Sequence, residues 1–262
     1  LHQLKTRRYF CNVFLYIGGQ NMEKYVSSLI ISFFIYGFAG WIWESFICPL
    51  MTGHKIKNSG FLNGPIVPIY GVGALVVSLL FSPSESYLSI FIEGAFVACV
   101  IEYFTSWAME ALYHRRWWDY DDKAFNVNGR VCLEGFLIFG LFSVIAVKFI
   151  QPTLLSMIMV HGEVPLIMLA TILCAILLVD LGITITTLAN LEKRIDEFVR
   201  DAEEYAQRVL DGFEQGKKSI IEILETIRLT DSSAYQEFLK QKKFAEKRIL
   251  KAFPALTNKK KK

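Results

Sequence analysis

Six acidic residues lie within or at the rim of long apolar runs: Glu44, Glu93, Glu102, Glu110, Glu134 and Asp180. An acidic side chain at the centre of a membrane-spanning helix costs roughly 2.5–3.5 kcal/mol on the insertion scale. So many in one chain imply a polar interior face turned away from lipid. Glu102, Ser106 and Glu110 are spaced by four, which stacks them along one helix face, with His114 continuing the line. The chemistry open to such a face is a hydrophilic track for a cation, proton or polar solute. Glu44 and Asp180 are further pathway candidates from neighbouring segments. The alternative is that these carboxylates are neutral, or pair with Arg115, Arg116 and Arg130 to lock the helices together. No HExxH, GxSxG or paired metal-ligand motif is present, so no catalytic residue, metal or cofactor is expected.

The elements that must position these groups are membrane spans. Hydrophobic residues make up 53% of the 262, mean hydropathy is +0.36, and the net charge is only +3. The charges are segregated. Between Val26 and Asn190 the only bases are Lys55, Lys57, Arg115, Arg116, Lys123, Arg130 and Lys148, whereas 17 bases and 13 acids crowd the region from Leu191 to Lys262. Aromatics at 14% argue against disorder for most of the chain. Five cysteines without CxxC spacing argue against a disulfide scaffold. The pattern predicts an all-α polytopic membrane protein with about five transmembrane helices and a cytoplasmic helical tail.

The expected spans are Tyr25 to Cys48, Ile66 to Phe81, Leu88 to Leu112, Leu133 to Ile150 and Val164 to Leu191. Pro49 follows the first. The second is short, and its entry through Pro65 and Pro68 is expected to supply the missing turn. The fourth is expected to stop at Gln151-Pro152, and the fifth runs into a charged helix without a breaker. Residues 22–190 thus form the membrane domain and 191–262 the tail. Leu1 to Asn21 reads as a translated leader or disordered N-terminus ahead of a start at Met22, the alternative being a short amphipathic helix on the membrane surface. Lys and Arg fall in the first and third loops and in the tail, which places those on the cytoplasmic side of a bacterial plasma membrane and the N-terminus outside. Glycines at Gly37 and Gly40, and Gly94 with Ala98, mark faces for close helix packing.

Two cytoplasmic loops carry the remaining candidates. Asn63 lies in the first, GFLNGP. In the second, Trp117, Trp118 and Tyr120 suit the headgroup layer and Asp119 can cap a turn. Asn126, Asn128 and Arg130 read as shaped backbone beside a polar site. Four stretches in this order, FFIYGFAGWIWES, GFLNGPIVPIYG, EYFTSWAMEALY and WWDYDDKAFNVNGRVCLEG, carry a resemblance over about Phe33 to Phe139. Together they resemble the bacterial integral-membrane family of CmpB-type ABC-transporter permeases. The resemblance implies a multi-spanning protein of low-GC Gram-positive bacteria and their relatives. It carries over no substrate or catalytic residue. The chain has no GxxxxGK[ST] phosphate loop, so ATP use would require a separate ATPase subunit.

In the tail, Ile195, Phe198, Ala202, Tyr205 and Val209 continue from Leu191 as a heptad-like seam. A second amphipathic stretch and a basic helix with a lysine run follow. Packing as a hairpin or against a second protomer, as a homodimer, competes with attraction to anionic lipid. Nucleic acid is not an expected partner, because acids are interspersed and no recognition motif occurs. Three function classes stay open: a transport component with an acidic polar track open to the cytoplasm, a membrane enzyme on lipid-linked substrates using Glu110, His114, Asp119 and Arg130, and a non-catalytic scaffold or sensor.

Overall fold

The computed structural model describes residues 22–53, 55–113 and 116–214. The expectations for the leader, His114, Arg115 and the tail beyond 214 lie outside the described residues. Among those described, the fold is entirely helical, with one isolated bridge between Val127 and Val131. Helix α1 (Met22–Ile42) passes through a π-helical stretch (Trp43–Ile47) into α2 (Cys48–Thr52). Helix α3 covers Pro68–Leu80 and α4 covers Tyr87–Tyr113. Helix α5 (Leu133–Ile145) passes through a second π stretch (Ala146–Ile150) into α6 (Gln151–Met159), and α7 runs over Glu163–Glu214.

Among the described residues, four helical stretches are long and apolar enough to cross a membrane: Met22–Thr52, Tyr87–Tyr113, Leu133–Met159 and Glu163–Asn190. The fifth apolar segment, α3, has thirteen residues. At 1.5 Å per residue that is about 20 Å, short of the roughly 30 Å of hydrocarbon. No helical turn is added ahead of Pro68. Proline disfavours helical backbone in the residue before it, and Val67 is extended (φ −111°, ψ 99°).

Two expected helix ends are overrun. A proline inside a helix lacks an N–H and clashes with the carbonyl four residues earlier. Both interior prolines, Pro49 and Pro152, follow a turn widened to five-residue spacing: Cys48 N–H donates to the Trp43 carbonyl, and Gln151 N–H to that of Ala146. The wider turn relieves the clash, so the first and fourth spans continue to Thr52 and Met159.

Helix α1 packs on α3, and α4 on α5. The contacts are backbone-close. A Cβ built on Gly40 would sit 2.4 Å from the Tyr70 ring, and one on Gly94 would sit 2.6 Å from Ser143 Cβ. Among the described residues, buried apolar clusters join Ile31 with Ile158, Leu166 and Ala170, and Val77 with Phe81, Ile90 and Val147. Polar ties cross between helices: Tyr36 Oη donates to Gln151 Oε1 (2.9 Å), and Lys24 Nζ to the Met159 carbonyl (2.7 Å). Many large apolar residues of α4 and α7 face outward, among them Phe96, Phe104, Trp107, Met168, Leu178 and Val179, as lipid contact requires. The chain divides into two compact units, one ending at Leu181 and one beginning at Gly182. In the second, α7 continues as one helix to Glu214.

Candidate functional site

The first π stretch aims Glu44 at α3, where Tyr70 Oη donates to Glu44 Oε1 at 2.6 Å. Glu102, in the middle of α4, is 7% exposed and accepts from Tyr120 Oη at 3.3 Å through Oε1. Its Oε2 is buried without a hydrogen-bond partner among the described residues. Both carboxylates and both tyrosines line one cavity of about 720 Å³. That volume lies within the roughly 300–1,000 Å³ typical of small-molecule sites. The cavity runs from the loop residues Phe61, Trp117 and Trp118 to Val77, Ser143 and Leu177 deeper in the bundle, and its walls are mostly apolar. Lys57 lines it as well.

Ser106 and Glu110 lie on the same face of α4 but meet different partners. Glu110 Oε2 accepts from Arg130 (2.8 Å) and Arg116 (3.2 Å), while Arg130 reaches Ser106 Oγ at 3.4 Å and covers the Tyr103 ring. Arg116 also binds Asp119 at 2.9 Å and lies 3.7 Å from Asp121. Burial alone would lower the Arg116 pKa, but the charges of Asp119 and Glu110 override it and hold the guanidinium above its usual range. The face read as one track is thus divided: Glu102 belongs to the cavity, and Glu110 with Ser106 belongs to an ion-paired cluster.

The loop that supplies both arginines is held by its own polar residues. Asn126 Nδ2 donates to the carbonyls of Asp121 and Lys123, and its Oδ1 accepts from Gly129 N–H. Asn128 donates to Tyr103 Oη at 3.0 Å, and Trp118 Nε1 donates to the Arg130 carbonyl at 3.1 Å. Asn128 and Gly129 have φ of 53° and 65°. A Cβ at Gly129 would sit within 2.5 Å of Asp121, Asp119 and Arg116, so only glycine fits among these charges. The headgroup belt expected of Trp117, Trp118 and Tyr120 is turned inward. Trp117 is 4% exposed and packs on Phe61 and Tyr113, joining the two loops. Burial pushes the Tyr120 phenol well above its ordinary value, with the charges of Glu102 and Glu44 adding to the shift.

Asp180 stands apart from the cavity. Its carboxylate accepts the backbone N–H groups of Asn63 (3.0 Å) and Gly64 (2.7 Å), fixing the non-helical entry to α3. Asn63 enters this contact through its backbone. Among the remaining carboxylates, Glu93 is exposed and accepts from Ser89, and Glu134 pairs with Lys123 at 3.1 Å. The described residues contain no group of three metal-ligating side chains.

Tyr70, Tyr103 and Ser59 are site residues that sequence spacing did not single out. Ser59 N–H donates to Ser45 Oγ, and Ser59 Oγ to the Glu44 carbonyl, tying the first loop to the π stretch. The available signal for Tyr70 was chemical, since a phenol in an apolar run needs a hydrogen-bond partner.

Helices of this length around an acidic, tyrosine-lined cavity define a multi-pass helical membrane protein. Residues 31–185, more than half of the chain and all of the site, match the family described as "Putative ABC-transporter type IV", and the chain belongs to that family. Among curated proteins and among solved structures, none matches.

Proposed function

We propose that this chain is the permease component of a transporter in a bacterial plasma membrane, and that the cavity holding Glu44 and Glu102 is its solute site. The observation that carries this reading is the position of two carboxylates, each bonded to a tyrosine, on the wall of an interior cavity of about 720 Å³. Groups so costly to bury are kept at membrane depth where a solute or proton uses them. Lysine and arginine in both loops support a cytoplasmic loop end, with the N-terminus outside and the tail inside. The cavity then opens towards the cytoplasm, beneath the ion-paired loop. A separate ATPase subunit supplies ATP hydrolysis, and the helix beyond Asn190 supports a second protomer through its heptad-like seam.

Affinity purification of the full chain from its native membrane, with mass spectrometry of proteins and small molecules, tests both halves. An ATPase carrying a phosphate loop is expected in the purified material, with a small molecule lost from the Glu102→Gln protein. Unchanged small-molecule content in Glu102→Gln and Glu44→Gln would remove the carboxylates from the mechanism and favour a scaffold.

A further inference from the structure

We infer that the cavity selects an amphipathic organic cation: one ammonium group on an apolar body. The inference rests on the cavity being the solute site. Its wall carries two carboxylates, Glu44 and Glu102, against the single ammonium of Lys57. Among the described residues neither carboxylate has an ion-pair partner, whereas Glu110 nearby takes both Arg116 and Arg130. The guanidinium groups of Arg116 and Arg130 are therefore spent outside the cavity. Among the described residues Glu102 Oε2 is left without a hydrogen-bond donor.

The remaining wall decides what kind of cation fits. An inorganic divalent ion needs six or more oxygen ligands, or retains much of its water, and the described residues offer no such cluster. Val77, Ala98, Ile101, Phe139 and Leu177 instead make an apolar surface deeper in the cavity. Tyr70, Tyr120 and Trp118 add ring faces near the carboxylates, and a desolvated ammonium is attracted to such faces as well as to the acids. A neutral solute can offer the buried Glu102 oxygen at most an uncharged hydrogen bond, and an anion would be repelled by the acidic pair. The head group sits at the loop end and the apolar body extends towards Val77 and Leu177. A free hydrophobic amine and an amine-bearing single-chain lipid share this chemistry.

The test uses the full chain in nanodiscs, titrated by calorimetry against empty nanodiscs with three matched probes: 6-phenylhexylamine, 6-phenylhexanol and 6-phenylhexanoate. The amine is expected to saturate one site per chain about tenfold or more tighter than the alcohol, the strength of one charge-assisted hydrogen bond. The acid is expected not to bind. Glu44→Gln and Glu102→Gln should each reduce amine affinity towards that of the alcohol and leave the alcohol unchanged. Should one variant fail to purify as a monodisperse sample, the other carries the comparison alone. Extraction and mass spectrometry of the native protein separates the two sources, a free amine or a lipid. Equal binding of amine and alcohol overturns the cation inference while leaving the cavity as a solute site. Tighter binding of the acid overturns it in favour of Lys57. No binding by any probe overturns both readings.

Discussion

Gly40→Ala probes how helix packing sets the geometry of the carboxylate site. The added Cβ would stand 2.4 Å from Tyr70 Cγ and 2.6 Å from Tyr70 Cβ. These atoms are at the root of the side chain, so a ring rotation cannot clear them. Carbon atoms rest at roughly 3.5–4.0 Å, and α3 must therefore retreat from α1 by about 1 Å. Glu44 lies one turn beyond Gly40 on the same strip, and its bond from Tyr70 Oη is 2.6 Å long. The retreat stretches that bond to about 3.6 Å, past the useful limit. Overpacking costs about 1–3 kcal/mol and a lost hydrogen bond to a charged group about 1.5–3, offset by up to about 1 from the better helix propensity of alanine. The net is a loss of roughly 1.5–6 kcal/mol, or about 3–24 °C in Tm for a chain of this size.

Thermal unfolding in nanodiscs, followed by circular dichroism, measures it. Tyr70→Phe keeps the ring and loses only the hydroxyl, so it should account for the hydrogen-bond share. Gly73→Ala, where a Cβ meets nothing within 4 Å, should leave Tm unchanged or raised. The decisive comparison is Gly40→Ala in a Tyr70→Gly background, where both the ring and the Tyr70 Cβ are gone and the cost should largely vanish. An equal loss in both backgrounds refutes the reasoning.

Asp180→Asn removes one of the two acceptor oxygens that hold Asn63 and Gly64, leaving an N–H facing an amide group. The expected cost is about 1–3 kcal/mol, and hydrogen exchange should show faster exchange at those two amides. Arg130→Gln leaves Glu110 with Arg116 alone; with Glu110 about one-third exposed, the loss should be about 1–3 kcal/mol by thermal unfolding, below that of a fully buried pair. The double variant with Glu110→Gln should lose less than the two single losses combined. Because burial raises the Tyr120 pKa, its stabilising share is complete below the free-phenol value of 10 and declines only as pH climbs towards the raised value. An ultraviolet titration of wild type against Tyr120→Phe should show no phenolate difference near pH 10, and a full difference there would contradict the buried placement.

The sequence was most informative where one helix carried the pattern. The fourfold spacing of Glu102, Ser106 and Glu110 correctly puts them on one face of α4, and the run into Arg130 signalled shaped backbone, which Asn128 and Gly129 supply with positive φ. Spacing along one helix does not specify what stands opposite it. Glu102 meets Tyr120 and Glu110 meets Arg130 because the loop folds back over α4, a long-range event with no local periodicity. Prolines misled for a related reason. Pro49 and Pro152 ordinarily end helices, and the five-residue turns that carry the chain through them leave no compositional mark. The inward turn of Trp117 was hidden because an indole suits a headgroup layer and a packed loop equally well.

The shortness of α3 bears on the electrical profile of the membrane. In the proposed orientation, a thirteen-residue helix entered through non-helical backbone pinned by Asp180 would leave a thinner low-dielectric barrier than the bilayer around it. A potential of 100 mV is worth about 2.3 kcal/mol for one elementary charge over its full drop. Across a thinned barrier the same drop is compressed into fewer ångströms, so a charged solute moving past Glu44 and Glu102 would meet a steeper field. Voltage would thereby become a second coordinate, beside occupancy, along which the proposed solute site could be driven.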